Sequence, residues 1–120
     1  IVSVVVARVC REGELGAGDV RQVSLGVDDE GRPVQALVLR DGDGRVVAYR
    51  NLCRHLPVPL DGGTGELLTD DGAYLVCGTH GATYRLGDGV CVDGPCEGAA
   101  LESLRVWVED GDIYVERRAG

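Results

Sequence analysis

The chain has 120 residues, 44% of them hydrophobic and 27% charged, which suits one soluble globular domain with one modest core. Its formal charge of −8, from 20 acidic against 12 basic side chains, argues against a nucleic-acid binder, whose phosphate partners demand clustered cations, and against docking on an anionic membrane. Nineteen glycines, no Phe, no Met and 4% aromatics leave little to build apolar helix faces and favour short strands joined by tight turns.

The opening run Ile1–Val9 is apolar, but it is far too short to span a bilayer, contains Arg8, and lacks a basic leader and cleavage site. No initiator Met is present, and the expectation is a cytoplasmic protein without a membrane segment. A first strand is predicted at Val4–Arg8, then a turn-rich loop through Gly18 and Asp19. Strands at Val20–Leu25 and Val34–Leu39 flank a hairpin loop from Asp28 to Pro33. A second turn, Asp41-Gly42-Asp43-Gly44, leads into a strand at Arg45–Arg50; its faint likeness to a calcium loop is weaker than its hairpin character. Further strands are predicted at Ala73–Cys77, Thr83–Leu86, Leu104–Glu109 and Ile113–Glu116. The last two are joined by Asp110-Gly111-Asp112, an Asp-Gly hairpin signal. No 3.6-residue periodicity extends over ten residues, so the expected fold class is all-β, an antiparallel sandwich or small barrel. Neither a repeat nor a linker divides residues 1–120.

One segment differs in character. Between Asn51 and Cys96 lie four of the five cysteines, both histidines and all but one of the prolines. It contains Cys53-Arg54-His55 and, after 21 intervening residues, Cys77-Gly78-Thr79-His80. With five cysteines in 120 residues, both histidines would acquire a cysteine at those offsets by chance about once in six hundred trials, so the pattern points to a metal site. Five is also an odd number, better suited to metal ligation with spare thiols than to a paired disulfide framework. Thiolate and imidazole serve both sulfide-bridged iron and zinc. The C-x-H spacing is tighter than the usual zinc clip, and no helix is expected to carry an H-x3–5-H pair, which favours iron. Two such turns could grip a flat two-iron rhomb from opposite sides. Cys91 and Cys96 could form a local disulfide or act as small apolar fillers, and Cys10 reads as a buried thiol. Trp107, in the alternating run Val106-Trp107-Val108, reads as packing.

The pattern C-x-H followed by C-x-x-H-G resembles the Rieske family over nearly the whole chain. The resemblance implies one [2Fe–2S] cluster, with Cys53 and Cys77 on the inner iron and His55 and His80 on the outer, more exposed one. It implies a β-sandwich base, here residues 1–48 and 97–120, with a small cluster-binding subdomain inserted at 49–96. Leu56, Gly81, Ala82, Tyr84 and Pro95 are expected around the ligands. Gly81 and Tyr84 match family positions, a hydroxyl–thiolate hydrogen bond is expected of Tyr84, and Gly94-Pro95 resembles the loop that shields the cluster.

The departures are informative. Respiratory Rieske proteins join their two cluster loops by a disulfide; the corresponding positions here are Val58 and Thr79. The serine that hydrogen-bonds a bridging sulfide in high-potential members is Ala82, and Pro57 and Pro59 lack N–H groups that could donate to sulfur. The sequence is therefore more similar to soluble Rieske-type ferredoxins, which implies a monomeric one-electron carrier between a reductase and an acceptor enzyme, itself no catalyst. A non-carrier subunit or redox sensor, and the Rieske fragment of an oxygenase, are the alternatives.

Overall fold

A computed structural model describes residues 3–52, 67–69, 72–77, 81–94 and 97–119. Nine strands occur among them: β1 (Ser3–Arg11), β2 (Val20–Val27), β3 (Pro33–Arg40), β4 (Val46–Arg50), β5 (Tyr74–Val76), β6 (Thr83–Arg85), β7 (Cys91–Asp93), β8 (Arg105–Glu109) and β9 (Asp112–Ala119). A single 3-10 turn at Glu12–Glu14 is the helical content of the described residues. The strands form three antiparallel sheets of three, in the orders β1-β9-β8, β2-β3-β4 and β5-β6-β7. The all-β antiparallel fold expected from the sequence is the fold observed. The structure adds a strand to the expectation, β7, where Cys91-Val92-Asp93 follows soon after the Gly87-Asp88-Gly89 turn.

The expected single core is in fact two, and β3 shows why. Its side chains alternate: Val34, Ala36 and Val38 enter one cluster with Cys10, Leu25, Ala48, Ile113 and Val115, while Leu37 and Leu39 enter another. The second cluster contains Tyr49, Leu75, Cys77, Ala82, Tyr84, Cys91 and Leu101. The β2-β3-β4 sheet is therefore a middle layer, packed on β1-β9-β8 by one face and on β5-β6-β7 by the other. Burial on both faces explains why β3 reads as an almost unbroken apolar run although its partners are antiparallel. Cys10, 4% exposed, is the buried thiol expected of it.

The turns follow from short-range chemistry. Asp28-Asp29-Glu30-Gly31-Arg32 and Asp41-Gly42-Asp43-Gly44-Arg45 close in the same way. In each, an Asp Oδ1 accepts two backbone N–H groups, at 2.9 Å, from the residues two and four positions on. In each, a glycine with φ near +80° occupies the fourth position (Gly31 φ 78°, Gly44 φ 82°). The hairpin character read into Asp41–Gly44 is borne out. Asp110 and Gly111 both have positive φ (52° and 81°), the signature of the two-residue turn expected between β8 and β9.

A strap laces the layers together. Ala99, Ala100 and Leu101 bond to β7 and the turn before it, through Cys91 N–H to Ala99 O (2.7 Å) and Leu101 N–H to Gly89 O (2.9 Å). Glu102 to Leu104 then bond to β4, through Arg50 N–H to Glu102 O and Leu104 N–H to Ala48 O, both 2.9 Å. Tyr49 adds a side-chain tie. It is 2% exposed, and its hydroxyl donates to Leu86 O at 2.6 Å. Burial, reinforced by Asp88 and Asp41, raises that phenol to about 12.

Candidate metal centre

The second motif begins on a hairpin. Val76 and Thr83 are paired at the end of β5 and β6, so the chain between them is the hairpin loop, and it contains Cys77-Gly78-Thr79-His80-Gly81-Ala82. The loop is closed by backbone bonds at its base: Cys77 N–H donates to Ala82 O at 2.8 Å, and Gly81 N–H donates back to Cys77 O at 2.9 Å. Gly81 has φ +74°, a conformation that a side chain there would strain. Cys77 has 0% exposure, within the apolar cluster between the middle sheet and β5-β6-β7. The expected ligand is thus a sheltered thiol at the neck of a tightly closed loop.

Gly94 rests on that loop. A Cβ built on Gly94, whose φ is +104°, would stand 2.7 Å from Ala82 Cα and 3.2 Å from Ala82 N. Only glycine lets the segment entering Pro95 lie so close. Ala82 and Tyr84 are both fully buried, and Tyr84 faces Leu75 on one neighbouring strand and Cys91 on the other. Cys91, 1% exposed, points its Sγ to Asp93 O at 3.2 Å. Across the turn between β6 and β7, Arg85 makes a bidentate contact with Asp88 (3.1 and 2.6 Å), and its hydrogen bond holds the Asp88 carboxyl below its ordinary range.

The approach to the first motif is equally anchored. From Tyr49 the chain passes through Arg50, Asn51 and Leu52 to Cys53. Arg50 Nη2 meets Asp28 Oδ2 at 2.8 Å, with the two side chains 15% and 19% exposed. The Arg50 hydrogen bond, with the Arg32 and Glu30 amides, lowers the Asp28 carboxyl to about 2. Asn51, 7% exposed, donates its backbone N–H to Gln35 O at 2.7 Å. The Asp28–Arg50 pair, Asn51 and Tyr49 were not foreseen as parts of the frame. Arginine and aspartate 22 residues apart announce nothing until a hairpin brings them together.

Cys53, His55, Leu56, His80 and Pro95 lie outside the described residues, as do Pro57, Val58, Pro59, Thr79 and Cys96, so the structure speaks to Cys77, Gly81, Ala82 and Tyr84. Among the described residues, no three His, Cys, Asp or Glu side chains converge as a metal site. No helix of the described residues is long and apolar enough to cross a membrane.

A layered antiparallel β protein, with a thiol-and-imidazole motif on a closed hairpin of its third sheet, belongs to a recognisable class. The Rieske [2Fe-2S] domain family matches residues 5–115, and the chain belongs to that family, whose cofactor is one [2Fe–2S] cluster. No protein of curated function matches the chain. Among solved structures, it resembles the reduced complex between oxygenase and ferredoxin in carbazole 1,9a-dioxygenase, with a TM-score of 0.68 and 22% identity over 92% of this chain and 27% of that one. It also resembles the terminal oxygenase of carbazole 1,9a-dioxygenase from Novosphingobium sp. KA1, with a TM-score of 0.66, 26% identity, and 92% and 29% coverage. The terminal oxygenase of carbazole 1,9a-dioxygenase from Nocardioides aromaticivorans IC177 gives a TM-score of 0.65, 28% identity and the same coverages. The chain thus spans less than a third of the length of these solved chains.

Proposed function

We propose that this domain carries single electrons on a [2Fe–2S] cluster held by Cys53 and Cys77 on one iron and His55 and His80 on the other. The observation that carries the reading is Cys77. It is a fully buried thiol at the neck of a hydrogen-bonded loop that also contains His80, and Gly94 lies so close to Ala82, at the same neck, that a Cβ on it would stand 2.7 Å from the Ala82 Cα. The donor set fits the group, since two thiolates and two neutral imidazoles satisfy two ferric ions bridged by two sulfides with no net charge. Bound there, the cluster would supply reversible one-electron chemistry at a potential above that of an all-cysteine site.

The chain's own residues have simpler tasks. The Cys77–Ala82 loop fixes the spacing between thiol and imidazole. The buried Ala82, Tyr84 and Leu75 keep water from one side. Asn51 and the Asp28–Arg50 pair deliver the first motif from the end of β4. Residues 49–96 act as the insert and the remainder as its base, with Tyr49 paired to Leu37 of the base by its backbone and tied to Leu86 of the insert by its hydroxyl. The domain makes or breaks no substrate bond, and it works with a reductase and an acceptor enzyme as a soluble monomer in the cytoplasm. Replacing Cys53, Cys77, His55 or His80 by Ala should deplete iron and loosen the fold, because metal binding and folding are coupled. Cys10→Ser should leave the iron in place, and so should Ser at Cys91 or Cys96. Loss of iron from any of these three would show that the ligand set is wrong. Rapid, reversible reduction by a flavin reductase is expected of a carrier, and a cluster that cannot be cycled would mark a structural or sensing subunit instead.

A second reading has an observation of its own. The matched solved chains are more than three times longer than the matched stretch, and two are described as terminal oxygenases. This domain would then be the Rieske part of such an enzyme. The coding sequence decides between them: an in-frame mononuclear-iron domain supports the oxygenase, and a stop codon soon after Gly120 supports the separate carrier.

A further inference from the structure

β4 and β6 each adjoin one half of the metal motif. β4 ends at Arg50, and Asn51 and Leu52 carry the chain on to Cys53. β6 begins at Thr83, directly after the loop that contains Cys77, His80 and Ala82. The two strands belong to different sheets and are not paired with each other. No backbone ladder therefore fixes their separation, although that separation sets the points from which the two cysteine–histidine pairs start.

One side chain bridges the gap. Tyr49, the penultimate residue of β4, pairs its backbone with Leu37 and turns its ring into the cluster shared with Leu75, Cys77 and Tyr84. Its hydroxyl donates to Leu86 O, one residue beyond the end of β6, at 2.6 Å. The turn that follows closes over the ring. A Cβ on Gly89, whose φ is +72°, would stand 2.8 Å from Tyr49 Cε1 and 3.1 Å from Cδ1. Gly89 is itself tied on both sides, its N–H donating to Arg85 O and its O accepting from Leu101 N–H, both at 2.9 Å. A ring 2% exposed, bonded at its tip and pressed along one side by the same turn, couples that turn to β4.

We propose that Tyr49 is a positioning residue for the metal centre: bonded to Leu86 and packed under Gly89, it fixes the spacing between the strand that leads to Cys53 and His55 and the hairpin that carries Cys77 and His80. The proposal rests on the ligand set given above and adds a residue that acts through two strands rather than on the iron. Ligands drawn from two separate loops grip a rigid group well only while the loops keep their spacing, and that is the task of the packing behind them.

The test compares Tyr49→Phe with Ile113→Val in the intact, iron-loaded chain. Tyr49→Phe removes the hydroxyl and keeps the ring. Ile113→Val trims the other core cluster, on the far face of the middle sheet, at a similar cost to stability. Tyr49→Phe should release iron to a chelator about fivefold faster than Ile113→Val, the factor expected for one lost hydrogen bond. Its electron paramagnetic resonance lines after reduction should also broaden, as the spacing of the two loops becomes heterogeneous. Amide hydrogen exchange should quicken in Tyr49→Phe alone at Gly89 and at Cys77, whose N–H closes the ligand loop on Ala82 O. Exchange at these amides reads the coupling without reference to iron, and the iron content of the unaltered chain reads the ligand set separately. Iron release, line width and exchange that match between the two variants would overturn the proposal and leave the ligand set standing.

Discussion

Gly94→Ala tests whether the contact between the Gly94 segment and the Cys77–Ala82 loop holds the candidate metal centre together. Two penalties apply. An L-residue at φ +104° costs about 1–2 kcal/mol in backbone strain. The new methyl would also lie 2.7 Å from Ala82 Cα, a backbone atom that cannot rotate away, so a further overpacking cost of about 1–3 kcal/mol is expected. Gly98→Ala isolates the first penalty, because Gly98 has a comparable φ of +91° and nothing within 4 Å of its would-be Cβ. At roughly 4 °C per kcal/mol for a domain of this size, the Gly94 variant should unfold about 4–12 °C below the Gly98 variant. It should also lose iron faster to a chelator, since the parting surfaces border the loop that contains His80. Thermal unfolding followed by circular dichroism, with timed iron release, provides both readouts. Equal melting temperatures and equal iron release in the two variants would refute the view that Gly94 clamps the loop.

Other outcomes follow from the same geometry. Asp28 has its carboxyl lowered to about 2 from an ordinary 3.8, so its contribution to stability is complete above about pH 4 and is lost as pH falls towards 2. Asp28→Asn should therefore flatten the acid limb of stability in that window, measured by urea unfolding between pH 5 and 2. Tyr49, raised to about 12 from 10.0, contributes stability that is complete below pH 10 and is lost as pH rises through 12. Tyr49→Phe should weaken the alkaline loss and cost about 1 kcal/mol at neutral pH, because the partly buried Leu86 carbonyl loses its donor. With Ala82 in place of a hydroxyl donor, the midpoint potential should lie near the lower end of the roughly −150 to +300 mV Rieske range. Ala82→Ser should raise it and Tyr84→Phe lower it, as donors to sulfur stabilise the reduced cluster; a redox titration showing no movement in either variant would contradict this.

Much of the fold was legible in the sequence because its signals are local. Asp-Gly at 110–111 dictates a two-residue hairpin, and the repeated Asp-x-x-Gly-Arg at 28–32 and 41–45 dictates two wider ones. Eight of the nine strands were foreseen near their observed positions. β7 escaped because a three-residue strand between glycine turns has too few alternations to register. The two-core layering escaped because an apolar run such as Val34–Leu39 does not say how many faces it buries. At the candidate metal centre, two cysteine–histidine pairs stand out by spacing alone. Gly94 against Ala82, Tyr49 reaching Leu86 and Arg50 against Asp28 are contacts across 12, 37 and 22 residues, which no spacing rule encodes.

The most direct test of the central claim is the metal itself. Iron, zinc and acid-labile sulfide should be determined on chain purified with and without oxygen, followed by electron paramagnetic resonance after dithionite reduction. About two irons and two sulfides per chain are expected, with the low average g value of a histidine-ligated cluster. One zinc per chain with no labile sulfide, in both preparations, would contradict the account.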